Sequence, residues 1–259
     1  MTQMSATVGQ LMRAWREQRR MSQLDLASEA NISQKHLSFI ESGRSAPSRD
    51  MIVHLADHLD VPLRERNALL LSAGFAPIYR ERAINDPALV RARATVEQIL
   101  QAHEPFPALA VDRGWDMIAT NAPVTALIGG VDSSLLKPPV NVLRLSLHPK
   151  GLAPMIANLA EWRHHLIERT RRQVRLTRDP ALKTLLEEIS AYPAPTEMLT
   201  TVVEDEIAIP LKLRTPHGVL SFFSTVTVFG TAVEITLSEI SLEAFYPADD
   251  ATAAALRAL

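Results

Sequence analysis

The feature that most narrows what this chain can fold into lies between Ser22 and Gly43, where two short helical patterns are separated by one tight turn. Ser22 stands three residues before Asp25, a carboxylate version of the capping box in which hydroxyl and acid each satisfy the other residue's backbone N–H. Leu26, Ala27 and Ala30 then supply a narrow buried stripe. Asn31 follows, and asparagine tolerates the left-handed backbone, so the chain can turn sharply before Ile32 returns to the core. Ser33 caps a further helix in which Leu37 and Ile40 point inward while Gln34, Lys35 and Ser38 point out, until Gly43 stops it. Short helix, tight turn, short helix is the geometry that admits a helix to the roughly 12 Å wide major groove of DNA while its partner crosses the backbone.

The flanks complete a bundle. Val8, Leu11, Met12 and Trp15 recur at helical spacing and lay one apolar stripe along a helix ending near Arg19. Pro47-Ser48 opens a fourth helix with Ile52, Leu55, Ala56 and Leu59 on one face, and Pro62 opens a fifth that closes at Ala73-Gly74. Five short helices account for less than a third of the 259 residues, so a second domain is expected. With 47% hydrophobic and 22% charged residues the composition is that of folded globular protein. The formal net charge of -2 averages over domains and does not exclude a small basic DNA reader. There is no cysteine, which rules out disulfides, thiolate zinc sites and cysteine nucleophiles. The first residues lack the pattern of a secretory leader and no segment is apolar enough to span a bilayer, so a cytoplasmic protein with no membrane partner is expected.

The stretch from Met21 to Arg44 resembles the helix-turn-helix of the Xre and lambda-type repressor family, a likeness that extends over roughly Val8 to Gly74. The resemblance implies that Gln23 contacts phosphate and backs a base contact, and that Gln34, Lys35, Ser38 and Phe39 face base edges, with Ser33 at the start of the reading helix. Glutamine bonds adenine bidentately, lysine reaches guanine, and an exposed aromatic can touch a thymine methyl. Arg44 and Arg49 would hold phosphates. The family also pairs an arginine late in the first helix with a glutamate late in the third, positions held here by Arg16 and Glu41. The chain departs from the family in placing Asn31, not glycine, between the helices, and His36 where a small residue is common.

Beyond Gly74 a short run punctuated by Pro77 reads as a connector, which sets the expected domains at 1–76 and 85–259 with residues 77–84 between them. Asp86-Pro87 starts a helix. Ala108 to Asp112 and Trp115 to Thr120 read as a hairpin about Arg113-Gly114, Asn121-Ala-Pro opens a helical segment, and Asn141 to Leu147 and Gly151 to Thr177 read as helices. Three strands are expected last, at Ile207 to Arg214, Val219 to Phe229 and Val233 to Phe245, with turns at Pro216-His217-Gly218 and Gly230-Thr231. In the final strand the inward parity changes from Val233, Ile235 and Leu237 to Ile240, Leu242 and Ala244, which calls for a bulge near Glu239. The order of elements is that of an α+β, PAS-like sensor in which an antiparallel sheet and helices enclose one cavity. The whole is thus a multi-domain chain, an all-α five-helix lambda-repressor-like domain followed by the PAS-like one.

At Asn141-Val-Leu-Arg-Leu-Ser-Leu-His-Pro149, at Ala160-Glu-Trp-Arg163 and at Arg66 to Pro77 the sequence is similar to MmyB-like transcription regulators. That resemblance implies a PAS-like ligand-binding domain and, for some members, fatty-acid-like ligands. Candidate cavity residues are Trp115, Met117, Leu143, Met155 and Leu159, together with Trp162, Phe222 and Phe223. Arg163 and His165 are the candidates to meet a carboxylate. Such apolar residues are also what a core requires, and nothing in the pattern separates the two roles.

Other chemistries find little support. Ala73-Gly74 is the dipeptide cut in self-cleaving repressors, but glycine there is also a helix stop, and no serine and lysine fall into a recognisable catalytic motif. No His-Glu-x-x-His and no phosphate-binding glycine loop occur. His54 and His58 sit one helical turn apart without a third ligand nearby, so they read as surface histidines. The arginines from Arg169 to Arg178 read as a solvated helix face or a dimer contact. The expectation is therefore a DNA-binding regulator, not an enzyme, with no cofactor and no metal. It would act as a homodimer on a pseudo-palindromic double-stranded operator and answer to a small apolar ligand, the alternative being a second domain used only for dimerisation or protein docking.

Overall fold

The computed structural model describes residues 6–177, 179–193, 209–216, 218–230 and 232–258. It divides the chain into two units. One takes the residues up to Arg82 together with 232–238, and the other takes Ala83–Gly230 and Glu239–Leu259.

The first unit is helical: α1 (Val8–Gln18), α2 (Gln23–Glu29), α3 (Gln34–Glu41), α4 (Arg49–His58) and α5 (Leu63–Ser72). Thr7, Ser22, Ser33 and Ser48 each accept a backbone N–H from the first turn of the helix that follows, so four starts are fixed by local hydroxyl chemistry. Asn31 and Gly43, on either side of α3, adopt φ of 51° and 74° and so set its direction. The core joins Met12, Leu26, Leu37, Ile40, Ile52, Leu55 and Leu70. Helices α1 and α3 meet closely at Gly9, where a Cβ would stand 2.3 Å from the Ile40 carbonyl oxygen, so no other residue fits. Gly74 ends α5 at φ 82°, its N–H bonded to the Leu71 carbonyl.

Residues after α5 fold back onto it. The Asn67 side chain accepts from the Ile78 and Tyr79 amides and donates to the Tyr79 carbonyl. The later segment 232–238 closes the same unit: Ile235 is buried, its N–H bonds the Arg80 carbonyl, and the Thr236 hydroxyl bridges the Arg82 N–H and C=O. Glu234 lies 3.4 Å from Arg82.

The second unit begins with a 3-10 turn, Pro87–Leu89, leading into α6 (Val90–Ala102). Strands β1 (Ala108–Val111) and β2 (Met117–Thr120) are followed by α7 (Ala122–Ile128), α8 (Val142–Leu147), α9 (Leu159–Thr177) and α10 (Pro180–Ala191). Strands β3 (Leu211–Thr215) and β4 (Gly218–Val228) come next, then the helical turn α11 (Ile235–Ser238) of the first unit, β5 (Ser241–Pro247) and α12 (Asp250–Arg257). All five strands form one antiparallel sheet in the order β2-β1-β5-β4-β3. Helix α6 packs on β1, β2 and β5, and a core including Leu143, Trp162, Leu166, Leu182, Leu213 and Phe222 fills the space between sheet and remaining helices.

Three expectations are corrected. Val233 to Phe245 is not one strand, because Ile235 is drawn into the first unit through α11 while the chain returns to the sheet only at Ser241. The parity change is thus made by a helical turn instead of a bulge. Gly151 to Thr177 is not one helix either: Pro154 sits in a 3-10 turn, Ile156 bridges to Leu213, and the Asn158 side chain bonds the Pro210 carbonyl and Lys212 N–H, so α9 starts at Leu159. Trp115 leaves the second hairpin strand because its φ is 68°, a turn conformation. Of the strand expected at 207–214, residues 207 and 208 lie outside the described residues, as do Arg178, His217 and Thr231.

Candidate functional site

In the first unit the outward face of α3 is held from behind by a buried ion pair. Arg16 Nε and Nη2 donate to the two carboxylate oxygens of Glu41 at 2.7 and 2.8 Å, and Arg16 Nη1 donates to the Met21 carbonyl at 2.7 Å. Gln23 Nε2 also donates to Glu41, at 2.8 Å, so its amide is anchored at the start of α2 against the end of α3. Three hydrogen bonds onto one buried carboxylate, and a fourth from its arginine to the Met21 carbonyl, tie α1 and α2 to the end of α3.

Outside this lock Gln34 and Lys35 are exposed and Ser38 and Phe39 half-buried on α3, with Ser33 as its cap and Arg44 exposed just beyond it. The Lys35 ammonium lies 5.6 Å, and the Arg44 guanidinium 5.8 Å, from the centre of the Phe39 ring. Two cations flanking an aromatic, one from α3 and one from the turn after it, suit contact with phosphate oxygens beside a base edge. Arg49, also exposed, opens α4. His54 bonds the Ala30 carbonyl and stacks edge-on with His58, and among the described residues no group of three potential metal ligands occurs.

The second unit holds an inner cavity of about 80 Å³ whose wall is almost wholly apolar. Trp115, Met117, Leu143, Trp162 and Phe222, all expected from the sequence, line it. Each reaches it from a different element: Trp115 and Met117 from the β1–β2 turn and β2, Leu143 from α8, Trp162 from α9 and Phe222 from β4. The indoles are pinned by their N–H groups, Trp115 to Gln173 at 2.8 Å and Trp162 to the Ser146 hydroxyl at 2.9 Å. Among the described residues Glu243 of β5 is the one charged side chain in this wall, and Arg169 of α9 donates to it at 2.8 Å while stacking 4.5 Å above the Trp115 ring.

The other expected residues lie elsewhere. Met155 borders a second, outer groove of about 580 Å³. Leu159 packs against the core, and Phe223, beside Phe222 on β4, faces out and stacks on Tyr246. Arg163 turns away to the Ser190 and Tyr192 carbonyls. His165 stacks on Trp162, and burial, reinforced by the nearby Arg169 charge, pushes its pKa below the usual histidine value. Sequence reading passed over Glu243 and Phe245, because the inward parity was assigned to Leu242 and Ala244. The available signal was an acid in an apolar strand, which needs a buried partner, and the arginine run of α9 supplies one in Arg169. Arg171 of that run pairs with Glu168 on its own helix.

No helix among the described residues is long and apolar enough to cross a membrane. Comparison with family models matches residues 12–66 to a helix-turn-helix family and residues 92–259 to the MmyB-like transcription regulator ligand binding domain. No curated protein matches the chain.

Proposed function

The chain belongs to the MmyB-like transcription regulator family, a DNA-binding helix-turn-helix joined to a ligand-binding domain, and from that premise we propose how each half is used. Both matched families are regulatory, one a DNA-binding and the other a ligand-binding domain. In the proposal, Gln34, Lys35, Ser38 and Phe39 read base edges while Ser33, Arg44 and Arg49 hold phosphates; Gln23, tied to Glu41, positions α2 on the backbone. One α3 helix touches too few base pairs for useful specificity, so the regulator works as a cytoplasmic homodimer on a pseudo-palindromic operator with half-sites about one helical turn apart.

The ligand is a small apolar molecule of fatty-acid or related acyl type. The observation that carries this is the inner cavity, walled by apolar side chains from all five strands and from α7, α8 and α9, and bordered by the Glu243–Arg169 ion pair. An apolar void inside a packed core forfeits contacts on every wall, and an apolar guest restores them. Ligand then changes operator affinity by as much as it prefers one state of the protein over another.

Native mass spectrometry of the purified chain, followed by extraction, tests the reading. A bound acyl compound whose addition alters operator binding is the expected result. A dimer that carries nothing, and that no acyl compound shifts, would leave the second domain as a dimerisation or docking module.

A further inference from the structure

The inner cavity is small for a ligand site, about 80 Å³ against the roughly 300–1,000 Å³ usual for such pockets. A second, larger groove adjoins it. Leu127 of α7 and Leu213 of β3 stand in its wall and also in the wall of the outer groove, so these two side chains form the partition between them. The outer groove is larger, about 580 Å³, and continues the apolar lining through Met155, Leu220 and Leu256.

Charge distinguishes the two ends. At the inner end the lining charge is the Glu243 carboxylate, already bonded to Arg169. In the outer groove the charged residues are Glu104 and Arg214. Glu104 accepts the Ala122 N–H at 3.2 Å. Arg214 spends one of its five N–H donors on the Ile156 carbonyl at 3.3 Å, and the ion pairs among the described residues do not include it. An anionic head placed inside would face Glu243 across a medium of low dielectric, whereas outside it meets a guanidinium with donors to spare.

We propose that the ligand is a linear monocarboxylate held head-outward: its carboxylate on Arg214 in the outer groove, its chain passing between Leu127 and Leu213, its tail end in the inner cavity. The inference rests on the acyl-ligand reading above and adds the direction of binding, the anchoring residue and the partition. It also explains the size of the inner cavity, which has to accept only the end of a chain.

The test titrates the full chain with dodecanoate and with dodecanol, each below its aggregation concentration, following tryptophan emission from Trp115 and Trp162 in the cavity wall. Arg214→Gln, an exposed substitution that leaves the core untouched, should weaken dodecanoate binding about tenfold or more and leave dodecanol unchanged, as expected for one charge-assisted contact. Arg214→Lys should restore part of the loss. Leu127→Trp, checked for folding by its melting profile, should weaken both probes by narrowing the partition. Dodecanoate binding that is indifferent to Arg214→Gln would overturn the orientation while the acyl reading stands. Failure of both probes to bind the unaltered chain would bring down that reading, and the orientation with it.

Discussion

Glu41 in the first unit and Glu243 in the second are both nearly buried carboxylates bonded to an arginine, their side chains 3% and 7% exposed, yet they serve opposite arrangements. Glu41 is closed in with Arg16 and Gln23 behind α3, and what it supports faces outward to solvent. Glu243 stands in the wall of a cavity, and what it borders faces inward. A binding surface that points out needs a rigid support and no space. A binding surface that points in needs space within its own core, and the same residues must serve packing and recognition.

The largest effect that could break this comparison is on stability. Glu41→Ala strands a nearly enclosed Arg16 and is expected to cost about 3–5 kcal/mol, the range for opening a buried pair from one side. Glu243→Ala should cost clearly less, because Arg169 is 26% exposed and can turn to water. Denaturant melts of the two variants decide it. Equal losses would mean that the cavity wall is as closed as the helix lock.

Next in size is an effect on binding alone. Gln34→Ala and Lys35→Ala remove exposed side chains from α3, so the melting temperature should hold while specific operator binding drops by roughly 1–3 kcal/mol per good base contact. Binding titrations against operator and unrelated DNA separate the two terms. A loss that is the same on every sequence would reassign these residues to phosphate contact.

The outward site was legible in the sequence and the inward one only in part, and the same contrast explains why. Ser22, Asp25, Asn31, Ser33 and Gly43 act on backbone atoms within three or four residues, so helix limits and the direction of α3 follow from local chemistry. Polar residues at outward positions then stand out. Phe222 and Leu143 carry no such mark, since an apolar side chain at an inward position looks the same whether it lines a void or fills one. Arg163 and His165 illustrate the limit: helical spacing places them beside Trp162, but only the tertiary structure reveals that one reaches the α10 carbonyls and the other the Trp162 ring. The excursion of 232–238 was hidden for a related reason, because Ile235 is buried in a unit whose helices lie some 150 residues earlier in the chain, as the Arg82–Thr236 bond of separation 154 makes plain.

That excursion gives a smaller, sharper test. Thr236→Val keeps the shape of the side chain but leaves the half-buried Arg82 amide and carbonyl without their hydroxyl partner, at a cost of about 0.5–1.5 kcal/mol. Hydrogen exchange should register the loss in α1 to α5, the helices of the unit to which Thr236 belongs. Faster exchange confined to β4 and β5 would place the segment with the sheet instead.

The smallest effect concerns pH and separates the units by chemistry. His165 is half-buried against Trp162, and burial followed by the Arg169 charge holds its folded pKa below the ordinary 6.5. The folded state therefore binds this proton less readily than the unfolded chain. Its contribution is fully present above 6.5 and is lost as pH falls from there through the lower folded value. Melting of the second unit should accordingly weaken on mild acidification, and His165→Gln should flatten that response while leaving the first unit's profile as it was. A slope that survives the substitution would place the acid-sensitive group elsewhere in the second unit, with Asp112, whose pKa burial raises, excluded by sign: its proton is held more tightly in the folded state, so acid would favour folding there.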